Sequence, residues 1–264
     1  MLKKLTKYDF TWIFRVVVWF MLAAAVCAVC ARITGSLYNG AENATMALLV
    51  LDKIASGLLF ASCAALYFFA FLRTVARFVT ALYKDESYLT HTLPVRRGTV
   101  FDAKAVSGAA VLILSLLVIA LALLVGAGGT VVTQLREYVA QNALTAVLMT
   151  ALFAAEMICM LFAVYLGCVL GYRFNAKKGL YAVLFSLAVY FGVQTVLSSV
   201  LFGSSFLDAD IGDFFRKALM AADPSAIGTA VTKLSAISLG LYAAADAVLW
   251  ILGRKALEKG VNVD

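Results

Sequence analysis

Apolar residues run through six stretches of this chain without alternation, at about residues 16–33, 54–72, 105–125, 143–170, 180–202 and 236–252. As α-helix, at about 1.5 Å per residue, each is long enough to cross or nearly cross the ~30 Å hydrocarbon core of a bilayer. A transmembrane barrel would instead show shorter segments in which apolar and polar positions alternate. The pattern predicts an all-α polytopic membrane protein, a single transmembrane domain over residues 1–264 with no nucleotide-binding domain on the same chain.

The polar positions refine this layout. Met1 to Arg15 sets Lys3, Lys4, Lys7 and Arg15 among Leu2, Leu5, Tyr8, Trp12 and Ile13. A basic amphipathic stretch with aromatic residues ahead of a span is expected to lie along the membrane surface before the chain turns into the bilayer. The same basic start, followed by an apolar run ending in Ala28-Val29-Cys30-Ala31, also has the form of a secretory signal. Trp12-Ile13-Phe14 lengthen the apolar run, no clear polar boundary follows the small residues, and five more spans come after, so an uncleaved span is expected. Gly35 to Lys53 reads as a polar connection, and Gly203 to about Ser235 as the longest loop. Beyond the second span, Arg73, Arg77 and Lys84 face Val75, Phe78, Leu82 and Tyr83, so that helix should continue past the membrane surface. Gly167-Cys168-Val169-Leu170-Gly171 has the small-xxx-small spacing that lets two helix backbones approach closely.

Composition agrees: 64% of residues are hydrophobic, 14% are charged, and only two are proline. The formal net charge of +7 could suggest nucleic acid. In a polytopic protein, however, the placement of each basic residue matters more than the total, because Lys and Arg concentrate on the cytoplasmic side. With six spans and the N-terminus inside, only Arg32, Lys53, Arg136, Arg216, Lys217 and Lys233 of the 22 basic residues fall outside. Both termini are therefore expected in the cytoplasm, and no nucleic-acid partner is expected.

Little in the sequence points to catalysis. Cys27, Cys30, Cys63, Cys159 and Cys168 all lie inside apolar runs with no histidine cluster beside them, so they read as packing residues, Cys27-x-x-Cys30 included. No phosphate-cradling GxxxxGK[ST] loop is present, and His91 is the only histidine, which excludes a paired-histidine zinc site. No catalytic residue, metal site or cofactor is expected on this chain. Two acids lie at membrane depth, Glu156 and Asp246. A charge there costs about 2.5–3.5 kcal/mol on insertion scales, so both should face the bundle interior. They are either a substrate or proton site or one side of an interhelical hydrogen bond to Tyr190, Gln194 or Tyr242. Asp246 sits among Ala243, Ala244, Ala245 and Ala247, which favours the packing role.

The densest polar stretch lies between the second and third spans: Asp85-Glu86-Ser87-Tyr88-Leu89-Thr90-His91-Thr92-Leu93-Pro94-Val95, then Arg96-Arg97 and, as the next span opens, Lys104. Tyr88, Leu89, Leu93, Val95, Val100 and Phe101 are too apolar for a free loop, and Pro94 sets a rigid break from which a short helix can restart. Such a segment suits docking into a groove of a partner, with Asp85, Glu86, Arg96 and Arg97 as a polar rim.

This stretch resembles the loop between the second and third spans of bacterial ABC-transporter permease subunits, and more closely that of the small six-span exporter permeases of Firmicutes. The broader type-2 exporters carry a looser Leu-x-x-Leu-Pro-x-x-Arg…Lys pattern there. The likeness covers the whole chain in layout, but its specific part is about twenty residues. It implies a dimer of permeases, identical or paralogous, among the lipids of the bacterial cytoplasmic membrane, bound to two separate ATPase subunits that hold the ATP and Mg. The loop would be the coupling helix, with Asp85, Glu86, Tyr88, Leu89, Thr90, His91, Leu93, Pro94 and Arg96 at the ATPase, and Met1 to Phe10 would be an elbow helix. The outside loop of roughly 30 residues leaves little room for a substrate-receiving domain. Two other readings are open: a membrane anchor or sensor that recruits an ATPase without transport, and a proton-coupled transporter using Glu156 or Asp246.

Overall fold

A computed structural model describes residues 2–40, 46–84, 96–126, 139, 142–174, 177–204, 206, 212 and 227–259. Among the described residues there are six long helices: α1 (Leu2–Gly40), α2 (Met46–Tyr83), α3 (Arg97–Gly126), α4 (Ala143–Gly171), α5 (Lys178–Ser204) and α6 (Ile227–Glu258). Each is long and apolar enough to cross a membrane, and the chain is a multi-pass membrane protein. The two prolines, Pro94 and Pro224, both fall outside these helices, so nothing in the helix interiors removes a backbone donor.

The helices extend beyond the apolar runs. The segment expected as a polar connection, Gly35 to Lys53, is helical up to Gly40 and again from Met46. The N-terminal segment expected along the surface forms one uninterrupted helix with the first span. Between Leu2 and Thr34 it meets neither proline nor glycine, so no residue there favours a bend.

Helix α1 shows how the bundle is sorted. Asp9, Ile13, Val17, Met21, Ala24, Ala28 and Ala31 are buried along one stripe, while Trp19, Leu22, Val26, Val29, Ile33 and Leu37 are exposed on the other. From Ala24 onward the buried stripe is alanine, while Val26, Val29, Ile33 and Leu37 face outward. In lipid, apolar burial does not drive helices together, so close packing of small residues does.

Two groups of three helices result. Helix α1 packs along α2 and α3, and α4 packs along α5 and α6. The groups meet through α3 on α6 and α4 and through α2 on α4. Near the end of the bundle where the chain passes from α2 to α3, Phe78 of α2 stacks on Tyr165 of α4 at 4.0 Å, and Phe101 of α3 meets Phe78 edge-on at 6.1 Å. A Cβ at Gly108 would lie 2.7 Å from Thr74 Cγ2 and 2.8 Å from the Tyr165 hydroxyl, so the glycine admits that ring. The spacing of Gly167 and Gly171 has the effect expected of it. A Cβ at Gly167 would collide with the backbone of Ser186, and one at Gly171 with the backbone of Ala182, so α4 and α5 touch main chain to main chain.

Because backbone cannot swing aside as a side chain can, Gly171→Leu is expected to cost about 3 kcal/mol, at the top of the usual range for overpacking. Gly192→Leu, which meets nothing within 4 Å, should be near neutral. Thermal unfolding of the purified protein in detergent checks both; equal midpoints for the two variants would refute the close approach.

Candidate functional site

The bundle end that carries the α2-to-α3 connection is built around one carboxylate. Asp9 is the only acid before Glu42, and its position in phase with Ile13 and Val17 carries it inward between α2 and α3. There Arg77 Nε donates to Asp9 Oδ1 at 2.6 Å, and Lys104 Nζ donates to Asp9 Oδ2 at 3.2 Å. All three side chains are about 4% exposed. Each carboxylate oxygen thus takes one cation, and α1, the final turns of α2 and the opening turns of α3 share one ion cluster. Charge-assisted bonds of this length are about twice as strong as neutral ones, but their value rests on all members being present.

Aromatic rings of α1 complete the enclosure. The Arg73 guanidinium lies 3.5 Å from the centre of the Trp12 ring, and that of Arg77 lies 5.0 Å from Trp12 and 5.1 Å from Tyr8. The ring faces carry partial negative charge and so help to solvate cations withdrawn from water.

Two residues earlier along α3 a second joint points the other way. Trp250 Nε1 of α6 donates to Asp102 Oδ1 at 3.0 Å, and Arg254 Nη1 lies 3.6 Å from Asp102 Oδ2. Arg254 also reaches Glu258 at 3.4 Å. The fit is close: a Cβ at Gly253 would lie 2.6 Å from the Phe101 ring, and one at Gly98 would lie 2.8 Å from Arg254 Nε. Arg173, just past α4, donates to the Ala256 carbonyl. Residues two apart on a helix point to different faces, so Lys104 and Asp102 fasten the start of α3 to α1 and α2 on one side and to α6 on the other.

The residues expected to meet an ATPase divide accordingly. Asp85, Glu86, Tyr88, Leu89, Thr90, His91, Leu93 and Pro94 lie outside the described residues, bounded by Lys84 and Arg96. Arg96 is exposed immediately before α3, where its carbonyl accepts the backbone N–H of Thr99 at 2.9 Å and of Val100 at 3.3 Å. It thereby starts the helix.

Glu156 and Asp246 lie elsewhere, on α4 and α6, both half-buried. Around them the Tyr242 hydroxyl donates to Gln194 Oε1 at 3.0 Å, joining α6 to α5. Asp246 is not a member of that bond. It neighbours the Cys159 thiol, a weak donor, and its Oδ1 has no hydrogen-bond partner. Asp9, Asp102 and Trp250 were not singled out by sequence reasoning. The available signal was the four-residue spacing of Asp9, Ile13 and Val17, which places an acid on the buried stripe of α1.

Among the described residues no group of three His, Cys, Asp or Glu is arranged to hold a metal. What the arrangement does is structural: it ties α1, the final turns of α2 and the opening turns of α3 to one another through Asp9. No family model, curated protein or solved structure matches the chain.

Removing the acid strands buried cations. Asp9→Asn should therefore cost about 3–5 kcal/mol, whereas Glu258→Gln, at a partly exposed pair, should change stability by less than about 1 kcal/mol. Unfolding midpoints in detergent measure both, and a difference of less than about 1 kcal/mol between them would contradict the structural role of the cluster.

Proposed function

We propose that this chain is the permease subunit of an ABC exporter, moving a peptide, lipid or drug-like substrate with work supplied by a separate ATPase. The observation that carries the reading is that both helices flanking residues 85–95 end in one buried ion cluster. A solvated loop places no demand on how its flanking helices are joined. A segment that receives force does, since slack at either end would dissipate the displacement.

The resemblance of residues 85–95 to the coupling loops of such permeases supports the same reading, as does the lack of a phosphate-cradling loop on this chain. In this account Tyr88, Leu89, His91, Leu93 and Pro94 dock on the ATPase, while Asp85, Glu86, Thr90 and Arg96 border the contact. ATP and Mg belong to the partner. When two ATPase subunits close, the docked segment moves with them, and α1, α2 and α3 follow as one body because Asp9 joins them. The joint at Asp102 passes part of that motion to α6. Two copies of the permease then exchange between two arrangements of packed helices, a rigid-body switch of the kind interfaces support. Both termini lie in the cytoplasm in this reading.

The test is recovery of an ATPase with the tagged permease from membranes. Leu93→Asp is expected to weaken the association at least tenfold and Pro94→Ala more modestly, with unchanged membrane insertion, because an apolar anchor at the centre of a docking site carries much of its affinity. Full recovery of the ATPase with both variants would refute the docking role. Transport by the permease alone, driven by an imposed pH gradient, would refute the class.

A further inference from the structure

Beside the ion cluster, Arg73 of α2 is left without a counter-charge. Its guanidinium lies 3.5 Å from the centre of the Trp12 ring, and among the described residues no carboxylate pairs with it. Asp9 is already committed, since each of its oxygens accepts from another cation. The Arg73 Nε is enclosed and has no hydrogen-bond partner. The two terminal nitrogens are neither enclosed nor bonded to the protein, so the partly exposed side chain presents them outward as donors.

The face of α1 beside that guanidinium has a single period. Tyr8, Trp12, Arg15 and Trp19 recur at i, i+4, i+7 and i+11, which places them on one side of the helix. Tyr8, Arg15 and Trp19 are exposed, and the stripe continues through exposed Val26 at i+18. Along α1 it passes from phenol and cation to an indole that is 70% exposed, and then to aliphatic surface. A phospholipid has the same order of polarity from headgroup to chain. An arginine holds phosphate through parallel N–H donors, and a tryptophan settles at headgroup level. The long side chain of Arg15 can reach back to that level while its stem lies along apolar surface.

We propose that this face binds an anionic phospholipid, with Arg73 and Arg15 donating to its phosphate and an acyl chain lying along Trp19 and Val26. Lys4 and Lys7, both exposed on the same helix, add positive charge, and no acid precedes Asp9. That field favours a headgroup whose phosphate is not neutralised by a choline. A free phosphate would leave the apolar half of the stripe without a partner. The site does not rest on ATPase docking, which uses other residues and is measured separately.

The experiment uses the full chain in phosphatidylcholine nanodiscs that carry a minor fraction of either phosphatidylglycerol or phosphatidylcholine brominated in mid-chain. Quenching of Trp12 and Trp19 fluorescence reports the bound lipid. Phosphatidylglycerol is expected to bind about tenfold more tightly than phosphatidylcholine, the combined effect of two arginines at the membrane surface. Arg73→Gln should reduce this preference to less than about threefold, and Arg73→Lys should restore part of it, because a lysine offers phosphate a point charge without the fork. Arg15→Gln, at an exposed position where folding is not at stake, should at least halve the preference. Lys3→Gln removes the same charge from an exposed position nine residues before Trp12, half a turn round the helix, and should leave the preference intact. Equal quenching by the two lipids in the unsubstituted protein would overturn the proposal. A loss in Lys3→Gln as large as in Arg73→Gln would also overturn it, since overall charge would then account for the preference. So would a preference that persists when Trp12→Phe and Trp19→Phe leave Trp250 as the sole reporter, or displacement of phosphatidylglycerol by water-soluble glycerol phosphate.

Discussion

A carboxylate withdrawn from water and held between two cations is the constraint on which the rest of this molecule depends. Asp9 cannot be buried alone, and neither can Arg77 or Lys104. Once the three meet, with each Asp9 oxygen assigned to one cation, the relative height of α1, α2 and α3 is fixed. Apolar contacts in a bilayer do not set register this sharply, because sliding one leucine past another exchanges like surface for like. The continuous course of α1 from Leu2 follows from the same requirement, since Asp9 must lie on the stripe that also buries Ile13 and Val17.

Around that point the bundle is held by shape. Glycines let α4 meet α5 along the main chain, and Gly108 lets the Tyr165 ring enter between α2 and α3. Helix α3 belongs to both groups of helices through two side chains near its start, Lys104 toward α1 and α2 and Asp102 toward α6. In the coupling role proposed above, it is the element through which a displacement entering near Arg96 would reach both groups. Farther along the bundle the polar contacts are neutral, as between Tyr242 and Gln194, and Asp246 is left with an unpartnered oxygen. Rigid polar joints lie at one end and adaptable apolar surface in the middle.

The six helices were legible because continuous apolar runs of sufficient length have one low-energy form in a bilayer. The close approach at Gly167 and Gly171 was legible from spacing alone, and so was the continuation of α2 past Arg73. The ion cluster was not. Its partners lie 68 and 95 residues apart, and the Trp250–Asp102 bond spans 148, so no local pattern records either. Arg77 read as one basic residue of the amphipathic end of α2, Lys104 as the lysine that closes the loop pattern, and Asp9 was hidden among the lysines of an amphipathic start that reads equally well as a surface helix. For Glu156 and Asp246, sequence showed the depth but not the direction each side chain takes.

A double-mutant cycle joining Asp9→Asn with Lys104→Met, read as unfolding free energy in detergent, tests the central claim most directly. The account predicts a coupling energy of at least about 1 kcal/mol, because either single change breaks the Asp9–Lys104 bond and the second change cannot break it again. Additivity of the two substitutions to within about 0.5 kcal/mol would contradict it, since residues without a shared contact behave that way.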